Sequence, residues 1–196
     1  MTLPYALIDA DLLHRYKLDL RRAAECLSRW EIPIAQYRDK SGSDAQVADA
    51  LETLRELYPG TLIVNDRIGL VKLADGVHLG QEDLAAVDPD PLRAVEKIRR
   101  EIGPALLGLS THDEREIAVA NTLDLDYIGL GAYRDTRTKS NAQVGGEALL
   151  KIARNSRHPV AIIGGVQWED EFGDPIRWKV LGSAFFERIR HSCDAI

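Results

Sequence analysis

The stretch IPIAQYRDKSGSDAQVADALETLRELYPGTLIV, residues 32–64, carries the architecture in miniature. It opens with a short apolar run, 32–37, that ends in the polar cluster QYRDK. A segment at 44–57 follows, with apolar residues at helical spacing and charges on its other face. Then comes a second apolar run at 61–64. Strand, amphipathic helix, strand is the pattern of a βα unit in a parallel sheet.

Outward from this unit the alternation repeats. Strands are predicted at 5–8, 32–37, 61–64, 76–79, 105–109, 127–130, 160–163 and 179–181. Between them lie the amphipathic stretches DLRRAAECLSRW, DAQVADALETLREL, PLRAVEKIRREI, DEREIAVANTL and GGEALLKIARN, with a weaker short helix in the 65–75 segment. Eight such strands suit a compact TIM (β/α)8 barrel, although 196 residues is short for a fold that typically needs roughly 250. A doubly wound open sheet is the competing architecture. No linker, low-complexity tract or fixed-period repeat divides the chain, so residues 1–196 are expected to form one α/β domain.

The formal net charge of −6 argues against bulk attraction to nucleic acid or an anionic membrane surface. The N-terminal MTLPYALIDADLL has no basic region and is interrupted by aspartates, unlike a signal peptide, and no apolar run is long enough to span a bilayer. Cys26 and Cys193 are too few and too far apart for a disulfide framework or a zinc site. The default expectation is the reducing cytoplasm.

In a barrel the chemistry gathers just after the C-terminal ends of the strands, and polar residues fall there in this chain. The two-residue period of IPIAQYRDK sends Gln36, Arg38 and Lys40 to one side and Tyr37 and Asp39 to the other. Two cations turned into a barrel mouth need either a bound anion or carboxylate partners. Asp66 and Asp83 end consecutive strands and suit Mg2+, which is commonly held by a few carboxylates and substrate oxygens, while Asp83 equally suits a helix N-cap. Asn65 offers a donor and an acceptor to a heteroaromatic ring edge. His78 reads as a packed, hydrogen-bonded histidine, and His112 as either that or a general base. Ser110 lacks a triad order or a nucleophile elbow and reads as a hydrogen-bond donor. Gly164-Gly165 and Gly182-Ser183 end the last two strands, where barrels bind phosphate through backbone N–H groups. The loop GLGAYRDTRTKSNAQVGG, residues 129–146, adds Thr136, Thr138 and Lys139 near that site, with a solvated charged loop as the alternative.

The order QYRDK, VNDR, ADGVHLGQED, GLSTH, DYIGLG, TRTK and IIGG resembles the thiamine phosphate synthase family over about residues 36–165. The resemblance implies a TIM barrel that joins hydroxymethylpyrimidine diphosphate to thiazole phosphate and releases pyrophosphate. It implies that Gln36, Arg38, Lys40, Asn65, Ser110 and Lys139 contact the pyrimidine diphosphate. Asp66 and Asp83 would hold Mg2+. Thr136, Thr138, Gly165 and Ser183 would contact the thiazole phosphate. Arg38, Lys40 and Lys139 would stabilise charge on the departing pyrophosphate.

Two segments depart from the family pattern. Ala132, Tyr133, Arg134 and Asp135 stand where the family has a proline-flanked apolar stretch, which lowers loop stiffness and leaves Arg134 or Arg137 to offset Asp135. After IIGG the chain reads VQWEDEFGDPIRWKVLGSAFF, where Gly173 and Asp174-Pro175 oppose a regular helix. Trp168 and Trp178 suit local packing or a subunit contact equally, so a homo-oligomer is compatible with the sequence. Two other functions remain open: a thiazole tautomerase-like enzyme that moves a proton with a histidine, and a catalytically silent paralogue that binds a phosphorylated ligand. The partners expected throughout are phosphorylated small molecules, with neither nucleic acid nor membrane.

Overall fold

A computed structural model describes residues 1–135 and 144–193. Eight parallel strands close into a barrel in sequence order, so the barrel replaces the open sheet as the architecture. They are β1 (Leu3–Asp9), β2 (Ile34–Arg38), β3 (Thr61–Asn65), β4 (Gly76–Leu79), β5 (Leu106–Thr111), β6 (Tyr127–Leu130), β7 (Val160–Ile162) and β8 (Ile176–Leu181). β1 closes the ring by pairing with β8 as well as β2. The helices are α1 (Ala10–Tyr16), α2 (Leu20–Arg29), α3 (Asp44–Leu57), α4 (Gln81–Val87), α5 (Pro91–Ile102), α6 (Glu114–Ala120), α7 (Glu147–Ala153) and α8 (Ser183–Cys193). A 3-10 helix, Ile68–Leu73, stands where the short 65–75 helix is expected.

The alternation of each strand sorts its side chains between two cores. Outward-facing residues such as Ile8, Tyr37, Val64 and Leu109 pack against the apolar faces of the helices. Inward-facing Tyr5, Leu7, Ile34, Ile63, Tyr127, Ala161 and Val180 fill the barrel itself, so it is a packed interior and not a pore.

Between β7 and β8 no helix forms among the described residues, as Gly173 and Pro175 anticipate. A short loop covers that face, and it is held from below. Lys179, buried on the outward side of β8, donates to the carbonyls of Trp168 at 2.6 Å and Asp170 at 2.9 Å and pairs with Glu171 at 3.1 Å. Thr2 fixes the other end: its hydroxyl donates to the Phe172 carbonyl at 3.0 Å and accepts from the Phe172 N–H at 2.9 Å. An ammonium thus does by hydrogen bonding what an apolar helix face would do by packing.

Trp168 packs edge-on against Trp30 and donates from Nε1 to the Ala184 carbonyl at 3.0 Å, and Arg188 lies over its ring. Trp178 meets Tyr127 edge-on at the barrel floor. Both tryptophans therefore have packing partners within the chain. Among the described residues no helix is long and apolar enough to cross a membrane.

Candidate active site

A cavity of about 630 Å3 opens at the C-terminal ends of the strands. The pattern read from IPIAQYRDK holds: Gln36, Arg38 and Lys40 line the cavity, while Tyr37 packs outward among the helices. The loop carrying Lys40 is fixed at both ends. Asp39 Oδ1 accepts from the N–H groups of Ser41 and Gly42, and Ser43 caps α3 with Gln46 returning the bond. Arg67 spans across from the end of β3 to the Gly42 carbonyl at 2.6 Å and to Asp44.

Both cations have carboxylate partners. Arg38 pairs with Asp9, which is 2% exposed and also accepts from the Leu12 N–H as the N-cap of α1. Lys40 pairs with Asp66. Sequence reasoning overlooked Asp9, although a carboxylate ending the first strand, in LIDAD, is the same signal that picked out the later strand ends.

Asp66 sits at φ 63°, a left-handed conformation uncommon outside glycine, asparagine and aspartate, with its N–H bonded to the His78 carbonyl at 2.9 Å. Asp83 is the third residue of α4 and not its N-cap: Gly80 holds that position, and the Asp83 carboxylate accepts from the Gly80 N–H at 2.8 Å. Burial pushes the Asp83 carboxyl above the usual range, and the neighbouring Asp66 carboxyl adds to the rise. Among the described residues no group of three or more His, Cys, Asp or Glu side chains gathers to hold a metal. Asp66 and Asp83 nevertheless stand apposed, a pair of carboxylates of the kind that holds a divalent cation when substrate and water supply the other ligands.

Asn65 and Ser110 also line the cavity, so the structure brings together every described residue expected at the pyrimidine diphosphate. His78 is enclosed in the barrel, with Nδ1 3.1 Å from the Tyr127 hydroxyl and Nε2 3.0 Å from Ser110 Oγ. This is the packed, hydrogen-bonded role read from the sequence. His112 lies at the rim, its Nδ1 2.9 Å from Glu116. Burial pushes the Tyr5 hydroxyl up to about 12 and Tyr127 well above its ordinary value, so both stay protonated at neutral pH. Gln81, which the sequence reading passed over, lines the cavity and donates to the Ser110 carbonyl at 2.6 Å.

The wall at the ends of β7 and β8 is made by Gly164, Gly165, Gly182 and Ser183, the last at the start of α8. Gly165 and Ser183 therefore share the cavity with Gln36 and Arg38. Thr136, Thr138 and Lys139, with Arg137, lie outside the described residues. What precedes them is tied down despite lacking prolines: the Tyr133 N–H donates to the Ile163 carbonyl at 2.8 Å and the Arg134 N–H to Gly164 at 2.9 Å. Arg134 does not serve Asp135. Its guanidinium grips Asp170 through bonds of 2.6 and 2.9 Å and lies over the Tyr133 ring. That contact holds the Asp170 carboxyl below its ordinary value.

Comparison with known proteins agrees with this fold. The model of the TMP-TENI family, described as thiamine monophosphate synthase, matches residues 5–171. A thiamine-phosphate synthase of Parasynechococcus marenigrum (strain WH8102) is 39% identical over 163 residues, which is 80% of this chain and 42% of that protein. The chain thus spans less than half the length of that curated relative. A thiamine-phosphate synthase of Methanosarcina barkeri is 34% identical over 174 residues, covering 85% of this chain and 73% of the relative. The solved thiamine phosphate pyrophosphorylase from Pyrococcus furiosus shares the fold with a TM-score of 0.74 at 24% identity, over 97% of this chain and 96% of that one. With the order of strand-end motifs, the closed barrel and these matches in agreement, the chain belongs to the thiamine monophosphate synthase family.

Proposed function

We propose that this chain is a thiamine-phosphate synthase, coupling hydroxymethylpyrimidine diphosphate with thiazole phosphate to give thiamine phosphate and pyrophosphate. The observation that carries the reading is the single cavity lined both by Gln36, Arg38, Lys40, Asn65 and Ser110 and by Gly165 and Ser183. Two anionic substrates need two cradles, and glycine lets backbone N–H groups approach a phosphate closely.

In the reaction the bond between the pyrimidine methylene carbon and the diphosphate oxygen breaks, and its electron pair leaves with pyrophosphate. The thiazole nitrogen then donates its lone pair to the resulting cation and forms the new C–N bond. No general base is required for either step. Arg38 and Lys40 exchange their carboxylate partners for the diphosphate oxygens and stabilise the charge that grows on them, with Lys139 assigned the same role from the loop. Asp66 and Asp83 would hold Mg2+, which when bound supplies positive charge to the leaving group. Gln36, Asn65 and Ser110 orient the ring so that the methylene faces the thiazole nitrogen. This reading puts the protein in the cytoplasm, supported by the low cysteine content, and a homo-oligomer is compatible with it.

The test is pyrophosphate release from the purified protein, with Asp66→Ala as control. Release that needs both substrates, Mg2+ and Asp66 supports the transferase. Binding of both ligands without release marks a silent ligand-binding paralogue, and turnover of thiazole phosphate alone marks a tautomerase.

A further inference from the structure

A chain of hydrogen bonds crosses the barrel interior, and both of its ends open on the cavity. Gln36 Nε2 donates to the Tyr5 hydroxyl at 2.7 Å, and that hydroxyl lies 3.0 Å from the Tyr127 hydroxyl. Tyr127 in turn reaches His78 Nδ1 at 3.1 Å, and His78 Nε2 reaches Ser110 Oγ at 3.0 Å. The space for it is set by glycine: a Cβ at Gly108 would stand 2.3 Å from Tyr127 Cζ and 2.5 Å from His78 Nδ1, and one at Gly129 would stand 3.0 Å from His78 Cε1.

The protons along this chain can be ordered by elimination. With the Gln36 amide placed so that its NH2 meets Tyr5, the Tyr5 oxygen accepts and its proton goes to Tyr127. Tyr5 and Tyr127 are each 1% exposed, and no buried side-chain polar atom among the described residues lacks a partner. In that order the Tyr127 proton goes to His78 Nδ1 and the ring proton sits on Nε2. Nε2 then donates to Ser110 Oγ, and the serine itself lines the cavity. The alternative order, with a proton on Nδ1, requires the Gln36 amide to turn over.

We propose that Tyr5, Tyr127 and His78 are positioning residues that lock Gln36 as a hydrogen-bond acceptor and Ser110 as a donor, and so make the cavity specific for an aminopyrimidine over its oxo analogue. The proposal rests on the transferase reading for the identity of the ligand. An amino group presents hydrogens to the Gln36 Oε1, and the adjacent ring nitrogen accepts from Ser110. An oxo group would set carbonyl against carbonyl at Gln36, and its protonated ring nitrogen would set donor against donor at Ser110. Buried groups left unpaired in this way are what reject near-isosteric ligands most strongly.

The experiment has two readouts on the full chain. Nitrogen-15 chemical shifts of His78, assigned with His78→Gln, are expected to show the proton on Nε2. Tyr127→Phe keeps the ring and its edge contacts with Tyr5 and Trp178 but removes the link. In that variant the His78 tautomer preference is expected to weaken, and the preference for the amino pyrimidine diphosphate over its oxo analogue to fall about tenfold, the scale of one hydrogen bond. Tyr5→Phe breaks the same chain one step earlier and carries the same readings if Tyr127→Phe does not fold. A proton on Nδ1 in the unmodified chain overturns the proposal. So does an amino-over-oxo ratio that both variants leave unchanged while weakening the two ligands equally. The ratio is read from calorimetric binding as well as turnover, so absence of turnover counts against the transferase reading alone.

Discussion

Gly164 and Gly165 stand at φ 99° and 62°, conformations that side-chain-bearing residues rarely adopt. A Cβ on Gly164 would also lie 2.7 Å from the Ala132 Cβ, and one on Gly165 2.7 Å from the Arg134 Cβ. Gly165→Ala is therefore expected to cost about 1–3 kcal/mol of stability through backbone strain, measured by urea unfolding. It should also raise the KM for thiazole phosphate more than that for the pyrimidine diphosphate, because the displaced turn follows β7, on the wall proposed for the thiazole phosphate. Asp170 makes a pH prediction at the same scale. Its folded pKa is held below 3.8 by Arg134, so its contribution is present above the unfolded value and is lost as the pH falls through the folded one. Asp170→Asn should lower stability at neutral pH and flatten the acid limb below about 4, as followed by circular dichroism across a pH series.

At the scale of elements, the loop between β7 and β8 depends on Lys179. Lys179→Ala leaves the Trp168 and Asp170 carbonyls without their donor, an expected loss of about 1–3 kcal/mol in denaturant unfolding. Hydrogen exchange at the Phe172 N–H should speed up in the variant, because the loop then loses its buried anchor and keeps only those at Thr2, Arg134 and Trp168. The strands were legible in the sequence because strands of a parallel barrel, covered on both faces, read as short continuous apolar runs. β8 was read three residues short at its start because Arg177 interrupts its run with charge. α1 went unread because seven residues, ADLLHRY, are too few to display a helical period. The strand-end residues of the site were legible for the same reason that the fold was, since each apolar run announces where its polar end begins. Tyr5 and Tyr127 were not, because a tyrosine inside an apolar run looks like core until its hydroxyl is seen to meet another. Asp83 was ambiguous for a different reason: a carboxylate near a helix start can serve the cap, and at the third position it does so while still facing Asp66.

On the scale of the whole molecule, the barrel is not equally secure around its circumference. β1 and β2 pair in unbroken register from Tyr5 with Ile34 to Asp9 with Arg38. β7 contributes only Val160–Ile162, and its register with β8 shifts between Val160 and Ala161. A loop, and no helix, covers that seam. Native-state hydrogen exchange is therefore expected to show the β7 and β8 amides opening before those of β1 and β2, and uniform protection around the ring would contradict this. The seam adjoins the Gly164-Gly165 turn, so the wall assigned to thiazole phosphate belongs to the part of the barrel that opens most readily, and ligand binding there should slow its exchange.

The anchoring of that wall has a consequence for how the protein tolerates change. A helix packed by many apolar side chains has redundancy, since losing one contact leaves the others and substitutions accumulate with graded effect. The cover over β7 and β8 instead hangs on a few polar anchors, and at the buried one beneath it, Lys179 Nζ, arginine cannot substitute without bringing a planar, longer head into the same small space. Position 179 therefore behaves as a keystone. Random mutagenesis across the outer surface of the barrel should find most outward positions permissive, and this one nearly closed to every other amino acid.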